Sequence, residues 1–205
     1  MEILYPKLLV YRKEKFHEVK EVYESLATSQ SPSTLFVTCS DSRLSPQEFT
    51  LSGPGELFVI RSAGNLISPY DPKHIPNEAL SLEYGIVALN IKEIIVCGHL
   101  SCGAMAGIMD VENLNHMPLV KKSLSKFKET HKHEIKHIEC ADELSRWNVS
   151  QQLENIYSYP FVRERVQKGE LHMWGWVFDF VTHEVVYKKN FLEILELENP
   201  MDSVS

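Results

Sequence analysis

Two short segments hold most of the residues that could do chemistry in this chain, VTCSDSR at 37–43 and VCGHLSCGA at 96–104. Each follows an apolar, β-rich run and then changes to small polar residues. Together they supply two thiols, an imidazole, a carboxylate and a guanidinium: Cys39, Cys102, His99, Asp41 and Arg43. Thiolates and imidazoles are the ligands that zinc prefers in proteins. The question is therefore whether two strand ends assemble one metal site.

The spacing of the donors favours a catalytic metal site over a structural one. His99 and Cys102, in the pattern His-x-x-Cys, place two donors within one turn of chain, and Cys39 from a neighbouring strand end would complete a Cys₂His set. Structural zinc sites usually have four protein ligands, whereas catalytic sites have three and an open position. Cys140 could close the site, but it lies on a predicted helix far along the chain. Cys97 lies inside its strand, where side-chain alternation points it away from the site, so we interpret it as a core residue.

The residues after Cys39 indicate what an open metal site would do. Asp41 can point into the same pocket, where a carboxylate could orient a zinc-bound water or occupy the open position and block it. Arg43 could hold Asp41 in a bidentate pair and keep it off the metal. The alternative is a surface ion pair of little consequence. Zinc acidifies its bound water toward neutrality, so the set predicts a nucleophile for a small electrophile.

The elements around these segments predict an α/β protein. Short apolar strands of the fully buried type are expected at 34–39, 56–61 and 92–98, then a strand within 171–180 and an antiparallel edge strand at 184–189. Helices are expected at 13–28, 45–49, 78–90 with Asn77 as the N-cap, 118–131, 140–157 and 160–169. Buried strands that alternate with helices form a mostly parallel central sheet flanked by helices. Ligands bind at the carboxyl ends of such strands, which is where both segments lie.

Composition excludes several classes of protein. A net charge of −7 and a pI near 5.7 argue against nucleic-acid binding by phosphate neutralisation. No apolar run approaches the ~20 residues that span a bilayer, and the first residues lack the pattern of a signal peptide. Four cysteines in 205 residues do not make a disulfide framework. We expect a single domain over 1–205 in the cytoplasm, with an N-terminal helical arm at 1–30 and a tail at 198–205.

The chain resembles the β-class carbonic anhydrases, most closely the plant-type and bacterial cyanate-operon members. The resemblance rests on CSDSR, ELFVIR with the Ala and Asn that follow, PYD, EY-I--L and CGH--CGA, in this order, within residues 30 to 190. It implies reversible hydration of CO₂ to bicarbonate and a proton, by attack of zinc-bound hydroxide on CO₂. It also implies one Zn²⁺ per chain. Family members are built from homodimers, which can assemble further into tetramers or octamers.

The resemblance also implies roles for individual residues. Cys39, His99 and Cys102 are its zinc ligands, and Asp41 and Arg43 form its catalytic pair. Its substrate pocket comprises five positions: Gln30, Phe58, Ala63, Tyr84 and Gly103, the last through its N–H. Three of them, Gln30, Phe58 and Tyr84, could act across a subunit interface.

One subgroup of the family is closed by bicarbonate bound at a second site made of a Trp, an Arg and a Tyr. The matching positions here are Phe36, Arg61 and Phe178, of which only the Arg is kept. Phenylalanine cannot donate the hydrogen bonds that an anion needs. We therefore predict no closure by bicarbonate, with Asp41 held off the metal at neutral pH.

Two other readings stay open from the sequence. The same fold could act on another small linear molecule, CS₂ or COS. Alternatively, zinc could staple a scaffold or interaction module that has no catalytic role. That last reading requires a fourth protein ligand and has no need for Asp41 and Arg43.

Overall fold

A computed structural model describes residues 3–198, so most of the predicted tail at 198–205 lies outside the described residues. The helices are α1 (Leu4–Glu14), α2 (Phe16–Ser25), α3 (Pro46–Phe49), α4 (Asn77–Glu83), α5 (Gly103–Met109), α6 (Pro118–Thr130), α7 (Ala141–Tyr157), α8 (Pro160–Gln167) and α9 (Phe191–Glu198). The strands are β1 (Thr34–Cys39), β2 (Leu57–Ser62), β3 (Glu93–His99), β4 (His172–Asp179) and β5 (Glu184–Asn190). Short 3₁₀ turns cover Ala63–Asn65 and Val111–Leu114, and a π-helical turn covers Tyr84–Ala88.

The strands form one sheet in the order β2-β1-β3-β4-β5. The first four are parallel, and β5 runs antiparallel to β4 at the edge. This confirms the predicted fold class. From β1 the chain crosses to β2 on one side and then to β3 on the other, so the order reverses between β1 and β3. Open α/β sheets bind ligands at such a switch point, beyond the carboxyl ends of the strands.

The two strands at the switch point are covered on both faces. Leu35 and Val37 of β1 point into the main core, with helix α7 on that side. The alternate residues, which include Phe36 of β1 and Cys97 of β3, pack into an aromatic cluster on the opposite face. Cys97 is fully buried there, and burial raises the pKa of its thiol. It is therefore a core residue, as predicted.

Glycine at two contact points lets helix α7 pack closely against the sheet. A Cβ built on Gly98 would lie 2.9 Å from Cγ2 of Val149, and one on Gly175 would lie 2.6 Å from Cγ1 of the same residue. Both distances are shorter than normal carbon contacts, so a side chain at either position would push the helix outward. The glycines bring α7 within hydrogen-bonding reach of the loops beyond β2 and β3.

Three local predictions were wrong. The helix expected at 13–28 is two helices that meet at Lys15, and the first begins at Leu4. Asn77 is the first residue of α4 and makes no capping bond, because Pro76 occupies the N-cap position with extended backbone angles. Helix α4 ends at Glu83, where the π-helical turn begins. Helix α9 was not predicted.

The N-terminal helices contribute no buried residue to the sheet or its core. Leu4, Leu8 and Leu9 of α1 are 71%, 55% and 49% exposed. A run of exposed leucines of this kind is typical of a surface that another molecule covers. Within residues 3–198, the helices lack the combination of length and apolar character needed to cross a membrane.

Candidate metal centre

The ends of β1 and β3 bring three metal-binding side chains together. Cys39 is the last residue of β1, His99 is the last of β3, and Cys102 is the N-cap of α5. The ligand atoms of these residues lie within 4.8 Å of one another, and all three residues are buried. The parallel pairing of β1 with β3 therefore unites residues that are distant in sequence.

The imidazole of His99 is poised for a metal. Its Nδ1 lies 2.9 Å from the carbonyl oxygen of Leu100, which assigns the ring proton to Nδ1 and leaves Nε2 with its lone pair. Nε2 is buried and has no hydrogen-bond partner among the described residues. A buried polar atom without a partner is costly, and here it faces two thiols. A metal ion with a preference for nitrogen and sulfur fits this position.

The two thiols shift each other's pKa in opposite directions. Contact with Cys102 lowers the pKa of Cys39, and the same contact raises the pKa of Cys102. The backbone N–H of Gly64 also donates to Sγ of Cys39, at 3.3 Å. Metals bind thiolates, so a metal bound here would displace the proton that Cys102 otherwise keeps.

A fourth protein ligand does not join this cluster among the Cys, His, Asp and Glu side chains that the structure describes. Cys140 is exposed at the start of α7, where its Sγ accepts the N–H of Glu143 at 3.5 Å. The closed zinc site required by the scaffold reading is therefore not provided by the described residues. The set fits an open site with three protein ligands.

Asp41 forms a two-point ion pair with Arg43 beside the cluster. Nε and Nη2 of Arg43 donate to Oδ1 and Oδ2 of Asp41 at 3.0 and 2.8 Å, and the backbone N–H of Arg43 adds a third bond at 3.0 Å. These hydrogen bonds hold the pKa of the Asp41 carboxyl well below its usual range. Oδ2 of Asp41 lies 3.8 Å from Nε2 of His99. The carboxylate is thus close to the metal-binding atoms while its oxygens are bound to Arg43.

Arg61 fixes the turn that carries Asp41. Its Nε donates to the carbonyl of Cys39 at 3.2 Å, and its Nη2 donates to the carbonyls of Asp41 and Leu44 at 2.9 and 2.7 Å. Phe178, which the resemblance places beside it, stacks on Phe49 with a ring separation of 4.4 Å. The guanidinium of Arg61 is therefore occupied by backbone carbonyls. The absence of bicarbonate-driven closure stays a prediction.

The loop between His99 and Cys102 is held from both sides. Ser101 has a φ of 54°, which is uncommon for a residue other than glycine. Its N–H donates to Oδ1 of Asp142 at 2.6 Å, and its carbonyl accepts from Nη2 of Arg43 at 3.3 Å. Sequence reasoning missed Asp142, although an acidic residue in the first turn of a helix is a common partner for backbone N–H groups.

The five predicted pocket residues divide into two groups. Ala63 follows β2 directly and Gly103 follows Cys102, so both lie at the metal end of the sheet. Phe58 pairs with Leu35 in β1, four residues before Cys39, which corresponds to about 13 Å along the strand. Its ring lies 6.1 Å from that of Tyr84, which is 49% exposed. Gln30 is exposed and precedes β1. Within one chain, the structure does not bring Gln30, Phe58 and Tyr84 to the cluster.

Comparisons with known proteins agree on one family. A family model described as carbonic anhydrase matches residues 34–185. A carbonic anhydrase of Synechococcus elongatus is 39% identical over 183 residues, which cover 86% of this chain and 67% of that protein. The solved structure of the β-carbonic anhydrase CcaA matches with 35% identity and a TM-score of 0.82. The match covers 94% of this chain and 95% of the CcaA chain. Tetrameric β-carbonic anhydrases of Sordaria macrospora match at 26% identity and a TM-score of 0.74, over 90% and 93% of the two chains.

Proposed function

Since this chain belongs to the carbonic anhydrase family, in its β class, we propose that it hydrates carbon dioxide reversibly to bicarbonate and a proton. By the class of its relatives it is an enzyme, a carbonate dehydratase. One observation carries the proposal. Nε2 of His99 and the two thiols converge in a buried cluster with no fourth ligand among the described residues, beside a carboxylate that an arginine holds.

The proposed metal is one Zn²⁺ per chain, held by Sγ of Cys39, Nε2 of His99 and Sγ of Cys102. Thiolate and imidazole together suit zinc, and three protein ligands leave one position for solvent. When bound in such a site, zinc acts as a Lewis acid that acidifies water toward neutral pH. Free thiol ligands need a reducing compartment, which supports a cytoplasmic location.

Asp41 has the proposed role of orienting the nucleophile. Its low pKa keeps the carboxylate ionised, so it accepts hydrogen bonds and does not donate them. Arg43 binds both carboxylate oxygens of Asp41. This pairing opposes movement of the carboxylate toward the cluster, where its Oδ2 is 3.8 Å from Nε2 of His99. The guanidinium also lies 4.4 Å from the ring centre of Phe180, which restricts its own motion. Together they keep the carboxylate near the reacting atoms but off the metal.

The substrate pocket is proposed to form between two copies of the chain. Ala63 and the N–H of Gly103 lie on the metal-bearing copy, and Gln30, Phe58 and Tyr84 of the other copy would face them. Two observations support a homodimer, which could assemble further into a tetramer or octamer. The apolar residues of α1 are exposed in the single chain, and Tyr84 is half exposed although it is aromatic.

Subunit mixing tests this division of the pocket. One variant carries Asp41→Asn and the other carries Phe58→Ala with Tyr84→Ala. In a 1:1 mixture that reassorts at random, half of the dimers are mixed and each regains one intact site, so about a quarter of all sites recover. Activity above the average of the separate variants supports a shared pocket. Activity that stays at that average after reassortment would refute it.

A stopped-flow assay of CO₂ hydration from pH 6 to 9, with zinc measured in the same samples, tests the function. The wild-type protein should contain one zinc per chain and be active. Asp41→Asn should keep its zinc and lose at least tenfold in kcat, since it loses the ionised acceptor. A fully zinc-loaded protein without hydration activity would reject the proposal. Turnover of COS and CS₂ in parallel would identify a different electrophile.

A further inference from the structure

Three amide side chains on α7 form a chain of hydrogen bonds that the proposed reaction does not use directly. We call Asn148, Gln152 and Asn155 the amide ladder. They lie at positions i, i+4 and i+7, which places them on one face of the helix. Asn148 is 1% exposed and Gln152 is fully buried. Burying amides is costly unless each donor and acceptor finds a partner.

The amide ladder binds the segment that follows β2. Nδ2 of Asn148 donates to the carbonyl of Gly64 at 3.0 Å, and Nε2 of Gln152 donates to Oδ1 of Asn148 at 2.9 Å. Oε1 of Gln152 accepts the N–H of Ile67 at 2.7 Å. Nδ2 of Asn155 donates to the carbonyl of Ile67 at 2.9 Å and to Oε1 of Gln152 at 3.2 Å. The helix is thus joined to both ends of the segment 64–67.

One end of that segment contacts the metal centre. Gly64 has a left-handed backbone, with φ 72° and ψ 18°, and its N–H donates to Sγ of Cys39 at 3.3 Å. Asn148 holds the carbonyl of the same residue, so the two bonds restrain rotation about both backbone angles of Gly64. Asn148 therefore restrains the peptide that follows Gly64, while the N–H of Gly64 points at the sulfur.

We propose that Asn148 and Gln152 are positioning residues that aim the Gly64 N–H at the Cys39 sulfur and so tune this ligand for a metal. A hydrogen bond to a thiolate draws electron density from the sulfur, which then donates less charge to the metal. The effect would partly offset the electron-rich character of a site with two thiolates. This inference rests on the proposed metal site at Cys39.

The test replaces single links of the amide ladder and reads the metal directly. Asn148→Ala removes the bond to the Gly64 carbonyl, and Gln152→Met removes the donor to Asn148 and the acceptor of the Ile67 N–H without adding a charge. Ser150→Ala is the matched control, because Ser150 lies on the same helix and bonds to Tyr187 at 3.0 Å. Three quantities are measured: hydrogen exchange of the Gly64 amide in the metal-free protein, zinc affinity by chelator competition, and the sulfur-to-metal charge-transfer band after Co²⁺ substitution.

Asn148→Ala should speed exchange at Gly64, shift the cobalt band to lower energy and change zinc affinity by about tenfold to a hundredfold. Gln152→Met, which also serves if Asn148→Ala does not fold, should shift the band in the same direction by less. A normal band and affinity in folded variants with a faster-exchanging Gly64 amide would overturn the inference, as would an equal shift in Ser150→Ala. A wild-type protein that binds neither metal would overturn it too. A cobalt shift in a protein that does not hydrate CO₂ would reject the proposed function and support the inference.

Discussion

Replacement of Gly64 by alanine offers a quantitative test of how tightly the segment after β2 is packed. An alanine at φ 72° must adopt a left-handed backbone, which destabilises the fold by about 1–2 kcal/mol. Its Cβ would also lie 2.9 Å from Cβ of Ala104 and 3.0 Å from Cε of Met105. The first of these atoms cannot rotate away, and overpacking of this kind costs about 1–3 kcal/mol. The free energy of unfolding should therefore fall by about 2–5 kcal/mol.

Gly169 provides a matched control for the backbone cost alone. It has a φ of 70°, and a Cβ there would have no atom within 4 Å. Gly169→Ala should lose only about 1–2 kcal/mol, so the two variants should differ by about 1–3 kcal/mol. For a chain of this size the difference corresponds to about 2–12 °C in Tm. Thermal unfolding should be followed at one protein concentration, since association shifts Tm. Equal losses in the two variants would refute the packing argument.

Two further predictions concern thiols and the ion pair. Cys39→Ser should abolish zinc binding, whereas Cys97→Ala and Cys140→Ser should retain about one zinc per chain; a zinc-free Cys97→Ala that remains folded would count against the assigned ligands. Arg43→Gln should change the pH dependence of stability. Because Arg43 lowers the pKa of Asp41, the ionised pair stabilises the fold above the ordinary carboxyl pKa of about 3.9, and this stabilisation is lost as the pH falls. The urea midpoint of the metal-free variant should therefore fall less steeply from pH 5 to pH 3 than that of the wild type, and parallel curves would contradict the reasoning.

The central strands β1 and β3 were the most predictable part of the fold because their sequences are mostly apolar and buried. TLFVTC at 34–39 and the run that ends in VCGH are short apolar segments that end in Gly or polar residues, and this pattern predicts a buried strand. Helix α1 at the start of the chain was harder to predict. Leu4, Leu8 and Leu9 are about half exposed or more, and α1 buries no residue in the core, so its sequence carries no apolar period that a core would impose. Pro76 took the N-cap position because its fixed φ already suits the residue before a helix.

The residues of the metal centre were predicted because thiols and imidazoles beside a carboxylate form a recognisable set. The residues that hold this centre in place were not predicted. Asn148, Gln152 and Asn155 look like the polar face of an amphipathic helix, and only their hydrogen bonds in the structure show that they bind backbone. A usable signal existed, since these amides are interleaved with Val149 and Leu153, which face the sheet. Amides within an apolar stripe indicate a buried hydrogen-bond network.

The position of the cluster at the switch point has a consequence for folding. Of the three ligands of the cluster, only His99 and Cys102 are close together in an unfolded chain, because Cys39 joins them only when β1 has paired with β3. That pairing closes a long stretch of chain that includes β2 and α4, and such non-local contacts form slowly. A metal would therefore be bound by all three residues only after the sheet has formed, and it would then stabilise the pairing of β1 with β3. The metal would be released only when β1 separates from β3 or when the cluster opens on its solvent side. The lifetime of the bound metal would therefore depend on how stably these two strands are paired.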